Sequence, residues 1–139
     1  MSYKIIGKYI KTLNFEIPNP KTFSLLSKEI SNYKINIDIK NNQIDKKILE
    51  VETALNLLPT KEGFDKIKTN IVFSTIIELK DEIKDKLEIE RIILVQVPSE
   101  IYPQLRKIFI LMFENSGFKD IKINEKIDFQ KLYTLKKTQ

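Results

Sequence analysis

The sequence predicts an α+β fold: a four-stranded antiparallel sheet first, then one long and one short C-terminal helix packed on one face of it. Three observations carry this. Between residues 3 and 79 apolar and polar side chains repeatedly alternate, the period of a strand with one buried face. Residues 99–117 switch to helical spacing. The breaks between the alternating runs are short and carry turn residues, which suits strands joined directly to their neighbours. With 139 residues and no linker, repeat or low-complexity stretch, the chain reads as one domain, residues 1–139.

The first strand covers residues 3–17. Tyr9, Leu13, Phe15 and Ile17 fall on one face, Ile10, Thr12, Asn14 and Glu16 on the other, and Lys11 interrupts the first. It runs into Pro18-Asn19-Pro20, a stiff stop without two backbone donors. In "YKINIDIK", Tyr33, Ile35, Ile37 and Ile39 oppose Lys34, Asn36, Asp38 and Lys40. Asn41-Asn42 then marks a hairpin turn, because asparagine tolerates positive φ. "ILEVETALNLL" sets Leu49, Val51, Leu55 and Leu57 against Glu50, Glu52 and Asn56, and Pro59–Gly63 is a second turn. The fourth strand, from Ile67, keeps Ile71, Phe73, Ile77 and Leu79 on one side.

Residues 80–97 fit neither period, although "IILVQV" reads as buried. The long helix carries Ile101, Leu105, Ile108, Phe109 and Met112 as its main stripe. Ser99 is its candidate N-cap, with Pro103 the alternative first turn, and Gly117 fits the position just past its end. Tyr102, Ile110 and Phe113 lie off the stripe. Either the stripe is wide and buried within one chain, or these three face a second copy; an oligomer interface is the expectation adopted. "DFQKLYTLKK" is the short final helix, with Phe129, Leu132 and Tyr133 on one side.

Composition narrows the chemistry. Histidine and cysteine are absent, which removes disulfides, Cys/His zinc sites, thiol nucleophiles and histidine acid–base schemes. Gly7, Gly63 and Gly117 are the three glycines, and none sits in a phosphate-cradling loop. No enzyme, cofactor or metal is expected. The net charge of +5 raises nucleic acid as a partner, but the basic residues are nearly all lysines interleaved with acids. Arginine, the preferred phosphate fork, occurs only at Arg91 and Arg106. A solvated surface is the reading adopted, and a basic nucleic-acid-binding module the alternative. No signal-peptide pattern or 20-residue apolar run occurs, so a cytoplasmic protein without membrane insertion is expected.

Three stretches resemble the bacterial protein-export chaperone SecB. The first strand resembles a Tyr-x-Lys-x-x-x-Phe-Glu-x-Pro-Asn-x-Pro pattern through Tyr9, Lys11, Phe15, Glu16, Pro18 and Asn19, with Pro20 one residue early. "ILVQVPSEIYPQLR" resembles the segment with two prolines five apart before the long helix, through Pro98, Pro103 and Arg106. "SGFKDIKINEKIDFQKLY" resembles the link to the last helix, through Gly117, Phe118, Ile127, Asp128, Phe129, Leu132 and Tyr133. The resemblance spans about residues 3 to 135.

The resemblance implies an ATP-independent holdase that keeps unfolded precursor polypeptides export-competent in an apolar groove. It implies a homotetramer, a dimer of dimers, with the first strand (Tyr9) pairing across subunits and the long helices packing between dimers, which would cover Tyr102, Ile110 and Phe113. The Pro18-Asn19-Pro20 segment would be a crossover walling the groove. Phe23, Leu25 and Leu26 would line it, with Ile35, Ile37 and Ile39 from the second strand and Phe129, Leu132 and Tyr133 from the last helix. For the three isoleucines plain core is an equal alternative. The family's partner is the translocase motor SecA, docked through acidic residues of the sheet. Here Glu16 is kept, but Thr12 stands at an acidic family position, the chain is basic, and it ends in "LKKTQ" without the usual tail. A SecB-like chaperone dedicated to a narrow client, such as an antitoxin, is the alternative within the same fold.

Overall fold

The computed structural model describes residues 2–29, 33–59, 67–80, 85–118 and 123–137, without the side chains of residues 26–29, 33, 59, 136 and 137. The alternating runs become β1 (Tyr3–Glu16), β2 (Tyr33–Gln43), β3 (Ile48–Pro59) and β4 (Lys68–Leu79). They form one antiparallel sheet in the order β1-β4-β3-β2, so β1 and β2 are its two edges. The helices are α1 (Pro20–Glu29), α2 (Lys86–Arg91), a π turn (Ile92–Gln96), α3 (Val97–Asn115) and α4 (Phe129–Lys137).

One face of the sheet is apolar because period 2 sends every second side chain there. Leu55, Ile71 and Phe73 meet Ile101, Leu105 and Phe109 of α3. Nearer the other end, Val51 and Ile77 meet Ile92, Ile93 and Val97. Burying each such side chain stabilises the fold by about 1.5–3 kcal/mol before the entropy of ordering. The anticipated sheet with helices on one face is what forms.

Several local expectations are corrected. β1 does not alternate without interruption: its register on β4 shifts between Ile5 and Gly7 and again between Ile10 and Thr12. Each bulge adds one residue and reverses the phase. Tyr9 therefore pairs with Ser74 on the helix-free face, whereas Leu13 and Phe15 pair with Ile71 and Thr69 on the helix side. Asn41 and Asn42 are not a turn. They pair with Val51 and Glu50, and the Asn42 amide donates to Glu50 Oε1 and Glu52 Oε2, both at 3.0 Å, which holds it in the ladder. The chain reverses just beyond, where Ile44 N–H donates to the Ile48 carbonyl at 2.9 Å. Of the second expected turn, Pro59 ends β3, and Thr60 to Gly63 lie outside the described residues.

The stop after β1 is the start of a helix. Pro20 is the first residue of α1, a position where its missing N–H is harmless. Asn19 caps it: Thr22 N–H donates to Asn19 Oδ1 at 2.8 Å.

The long helix starts earlier than Ser99 or Pro103. Residues 86–115 are helical throughout, and Asp85 accepts from Leu87 N–H at 3.0 Å as the N-cap. The unclassified stretch contains the π turn, in which Val97 N–H reaches the Ile92 carbonyl, five residues back. At the far end Gly117 has φ +94°. Phe118 N–H returns to the Phe113 carbonyl at 3.1 Å and Gly117 N–H to that of Glu114 at 3.4 Å, the paired bonds of a Schellman motif.

Tyr102 and Phe113 do not form an outer face. Tyr102 is 2% exposed and Phe113 0%. Phe113 is ringed by Phe15, Phe109 and Phe118, with centroids 4.8, 5.0 and 5.7 Å away. The wide-stripe alternative holds for these two, while Ile110 is half-buried against the same core.

Candidate functional site

The edge strand β2, the π turn and α4 enclose an apolar cleft open to solvent. One part, about 140 Å³, is lined by Ile37, Ile39, Leu94, Phe129, Leu132 and Tyr133, with Asp38 beside them. It continues into a part of about 480 Å³ lined by Ile39, Ile89, Ile93, Leu94 and Tyr133, with Asn41, Lys86 and Glu90 at its polar end.

Local sequence places each wall. In β2, alternation turns Ile37 and Ile39 towards the helices, half-buried. α4 is set by Asp128, whose Oδ1 accepts from Lys131 N–H at 2.9 Å. That cap places Phe129 at the first helical position, where it is buried against Tyr102 with ring centroids 6.0 Å apart. Leu132, one turn on, stays 47% exposed, and Tyr133 is half-buried at the rim. The approach to α4 is fastened to α3: Tyr102 Oη donates to the Asn124 carbonyl at 2.7 Å, and Arg106 Nε to that of Ile123 at 3.1 Å. Burial raises the Tyr102 pKa, with Arg106 opposing, so the phenol remains a donor.

The structure therefore brings together Ile37, Ile39, Phe129, Leu132 and Tyr133 from two distant parts of the sequence. It leaves others elsewhere. Ile35 packs on the main core instead. Phe23 sits on α1, its ring 5.0 Å from that of Phe118 and against Gly117. Neither Phe23 nor Leu25 lines the cleft. Leu26's side chain lies outside the described ones. Pro18, Asn19 and Pro20 lead into α1. Glu16 is at the exposed end of β1, paired with Lys68 at 3.5 Å.

Sequence reasoning missed Ile89, Ile93 and Leu94. The available signal was the "IILV" run next to Pro98, but the π turn dephases it from the α3 stripe. Among the described residues the cleft is lined by apolar side chains and the Tyr133 ring, with an amide (Asn41) and charged groups (Asp38, Lys86 and Glu90) beside them, an arrangement suited to burying apolar groups.

The family model described as Preprotein translocase subunit SecB matches residues 1–139. The chain belongs to the SecB family. A SecB relative from Pelagibacter ubique is 39% identical over 132 residues, covering 95% of this chain and 94% of the relative. The protein-export protein SecB of Anaplasma phagocytophilum is 25% identical over 142 residues, covering 94% and 89%. A SecB-like chaperone of Mycobacterium tuberculosis, solved with a ChAD peptide from an antitoxin, shares the fold. Its TM-score is 0.66 at 10% identity, with 91% of this chain and 88% of that one covered. The resemblance read from the three motifs is borne out, and the chain is a chaperone of the SecB type. Among the described residues no helix is long and apolar enough to cross a membrane.

Proposed function

We propose that this chain holds unfolded precursor polypeptides in the cleft between β2, the π turn and α4, keeping them export-competent without nucleotide. The observation that carries the reading is Leu132, Tyr133, Ile37 and Ile39 converging on a solvent-open apolar cleft whose floor is sealed by buried Phe129. Each contact buries little area, at roughly 25 cal/mol per Å² before ordering costs. Several clefts in one assembly let one long client gain avidity from weak sites. The export role follows the sequence relatives. The antitoxin peptide belongs to the structural neighbour, whose 10% identity speaks for the fold alone.

The proposal extends to a homotetramer working in the cytoplasm, handing clients to the motor SecA. Exposed surface supports the assembly: Ile10 and Leu13 on the free edge strand and Leu111 on α3 are all exposed, and Tyr9 lies with its hydroxyl turned inward and its ring exposed. Glu16, held by Lys68, is the acidic group of the first strand available for the motor.

The test is refolding of a slow-folding precursor diluted from urea. At a few-fold excess of tetramer, recovery of native precursor is delayed without ATP. Unchanged kinetics at every ratio would overturn the holdase reading.

A further inference from the structure

The two parts of the cleft share Ile39, Leu94 and Tyr133. Ile39 comes from the strand and Tyr133 from α4; only Leu94 belongs to the long helical run. Its position has a specific cause. The α3 stripe runs back from Phe109 through Leu105 and Ile101 to Val97. Continued in α geometry, the stripe would reach residues 93/94, 90 and 86/87, setting Glu90 and Leu94 against the sheet. The π turn inserts one extra residue per turn, as the bond from Val97 N–H to the Ile92 carbonyl records. Ile92 and half-buried Ile89 take the core side beside Ile93 instead. Leu94 is rotated towards β2 and α4, half-buried between two core clusters, and Glu90 moves to the cleft's polar end.

We propose that Leu94, turned out of the helix stripe by the π turn, contacts client and joins the two parts of the cleft into one site for a single extended polypeptide segment. This rests on the holdase reading. The strand wall runs from Ile37 to Asn41, about 13 Å at strand rise, room for four or five extended residues. The lining fixes their character: apolar side chains towards Ile37, Phe129 and Leu132, then a polar or charged one towards Asn41, Lys86 and Glu90.

The probe is a fluorescently labelled ten-residue peptide of alternating leucine and serine, titrated by anisotropy alongside the refolding assay. Leu94→Ser weakens binding at least about fivefold, the scale of a central contact. Leu94→Trp, which fills the junction without reducing apolar character, also weakens it. Leu94→Met stays within about twofold of the parent. Leu87→Ser changes an exposed leucine on α2 that does not line the cleft, and leaves binding unchanged. Circular dichroism and solution mass report folding; if Leu94→Ser unfolds, Leu94→Trp against Leu94→Met decides. Peptide affinity the same in Leu94→Ser and Leu94→Trp as in the parent overturns the inference. So does a parent that delays refolding yet does not bind the peptide. A parent that does neither overturns the holdase reading itself.

Discussion

Glu50 is an acid on the helix-free side of β3, yet it is 8% exposed. Its carboxylate accepts from Ser74 Oγ at 2.7 Å, Tyr9 Oη at 2.9 Å, Asn42 Nδ2 at 3.0 Å and Lys11 Nζ at 3.3 Å. These donors come from β4, β1, β2 and β1, so one side chain ties all four strands. Glu52 shares the bulge residue Lys11 at 3.1 Å. Hydrogen bonds from Ser74, then Asn42, then Tyr9 hold the Glu50 pKa at about 2, with burial opposing them and Lys11 assisting. A carboxylate whose pKa is depressed on folding stabilises the fold above its unfolded value and loses that contribution as pH falls towards the folded one. Stability should thus decline between pH 4.5, the ordinary value, and about 2. Glu50→Gln should flatten this part of the acid-unfolding curve and cost roughly 1–3 kcal/mol at neutral pH, the scale of a broken buried polar contact. A curve of the same shape in the variant would mean that other carboxylates govern acid unfolding.

The elements were legible wherever a period ran undisturbed. Alternation in β3 and β4 appears in the structure as read, and so do Ile101, Leu105 and Phe109 of the α3 stripe, whereas Phe113, read as lying off that stripe, is buried with them. The misread phases of β1 and of residues 92–97 share one physical cause, a single extra residue. Bulges at Ile6 and Lys11 reverse the faces of β1, and the π turn shifts the stripe of "IILVQV"; each breaks the phase on which periodicity depends. α1 is hidden differently: Pro20 reads as a stop, although Asn19 before it is a helix-cap signal. The cleft was half legible, because β2 and α4 carry regular patterns while its third wall depends on the π turn. The end of α3 shows a local signal read correctly. Gly117 supplies positive φ, and a Cβ there would stand 3.1 Å from the Phe23 ring. Gly117→Ala should therefore combine left-handed strain of roughly 1–2 kcal/mol with displacement of Phe23 from Phe118. The expected readout is a lower denaturant midpoint with unchanged slope, and faster amide exchange in α1. An unchanged midpoint would show that the Schellman turn relaxes into another closure.

At the scale of the molecule, one chain leaves apolar surface that a single sheet-and-helix layer cannot cover. β1 is a 14-residue edge strand, and it presents Ile6, Ile10 and Leu13 to solvent. A long edge with such side chains invites pairing with another chain. On α3, Leu111 is 55% exposed, beside half-buried Ile108, Ile110 and Met112. The expected interface thus shifts from Tyr102 and Phe113, consumed by the core, to this row and the β1 edge. Light scattering should find four copies of the 16.4 kDa chain. The two surfaces predict different products when disturbed. Leu111→Lys places a charge on the outer row of α3 without touching the core, so it should leave dimers with native circular dichroism. Leu13→Lys charges the strand edge and should weaken the dimer itself, giving monomers at micromolar concentration. A parent that is monomeric at high concentration would remove the assembly proposal. Tetramers persisting in both variants would place the contacts on other surfaces.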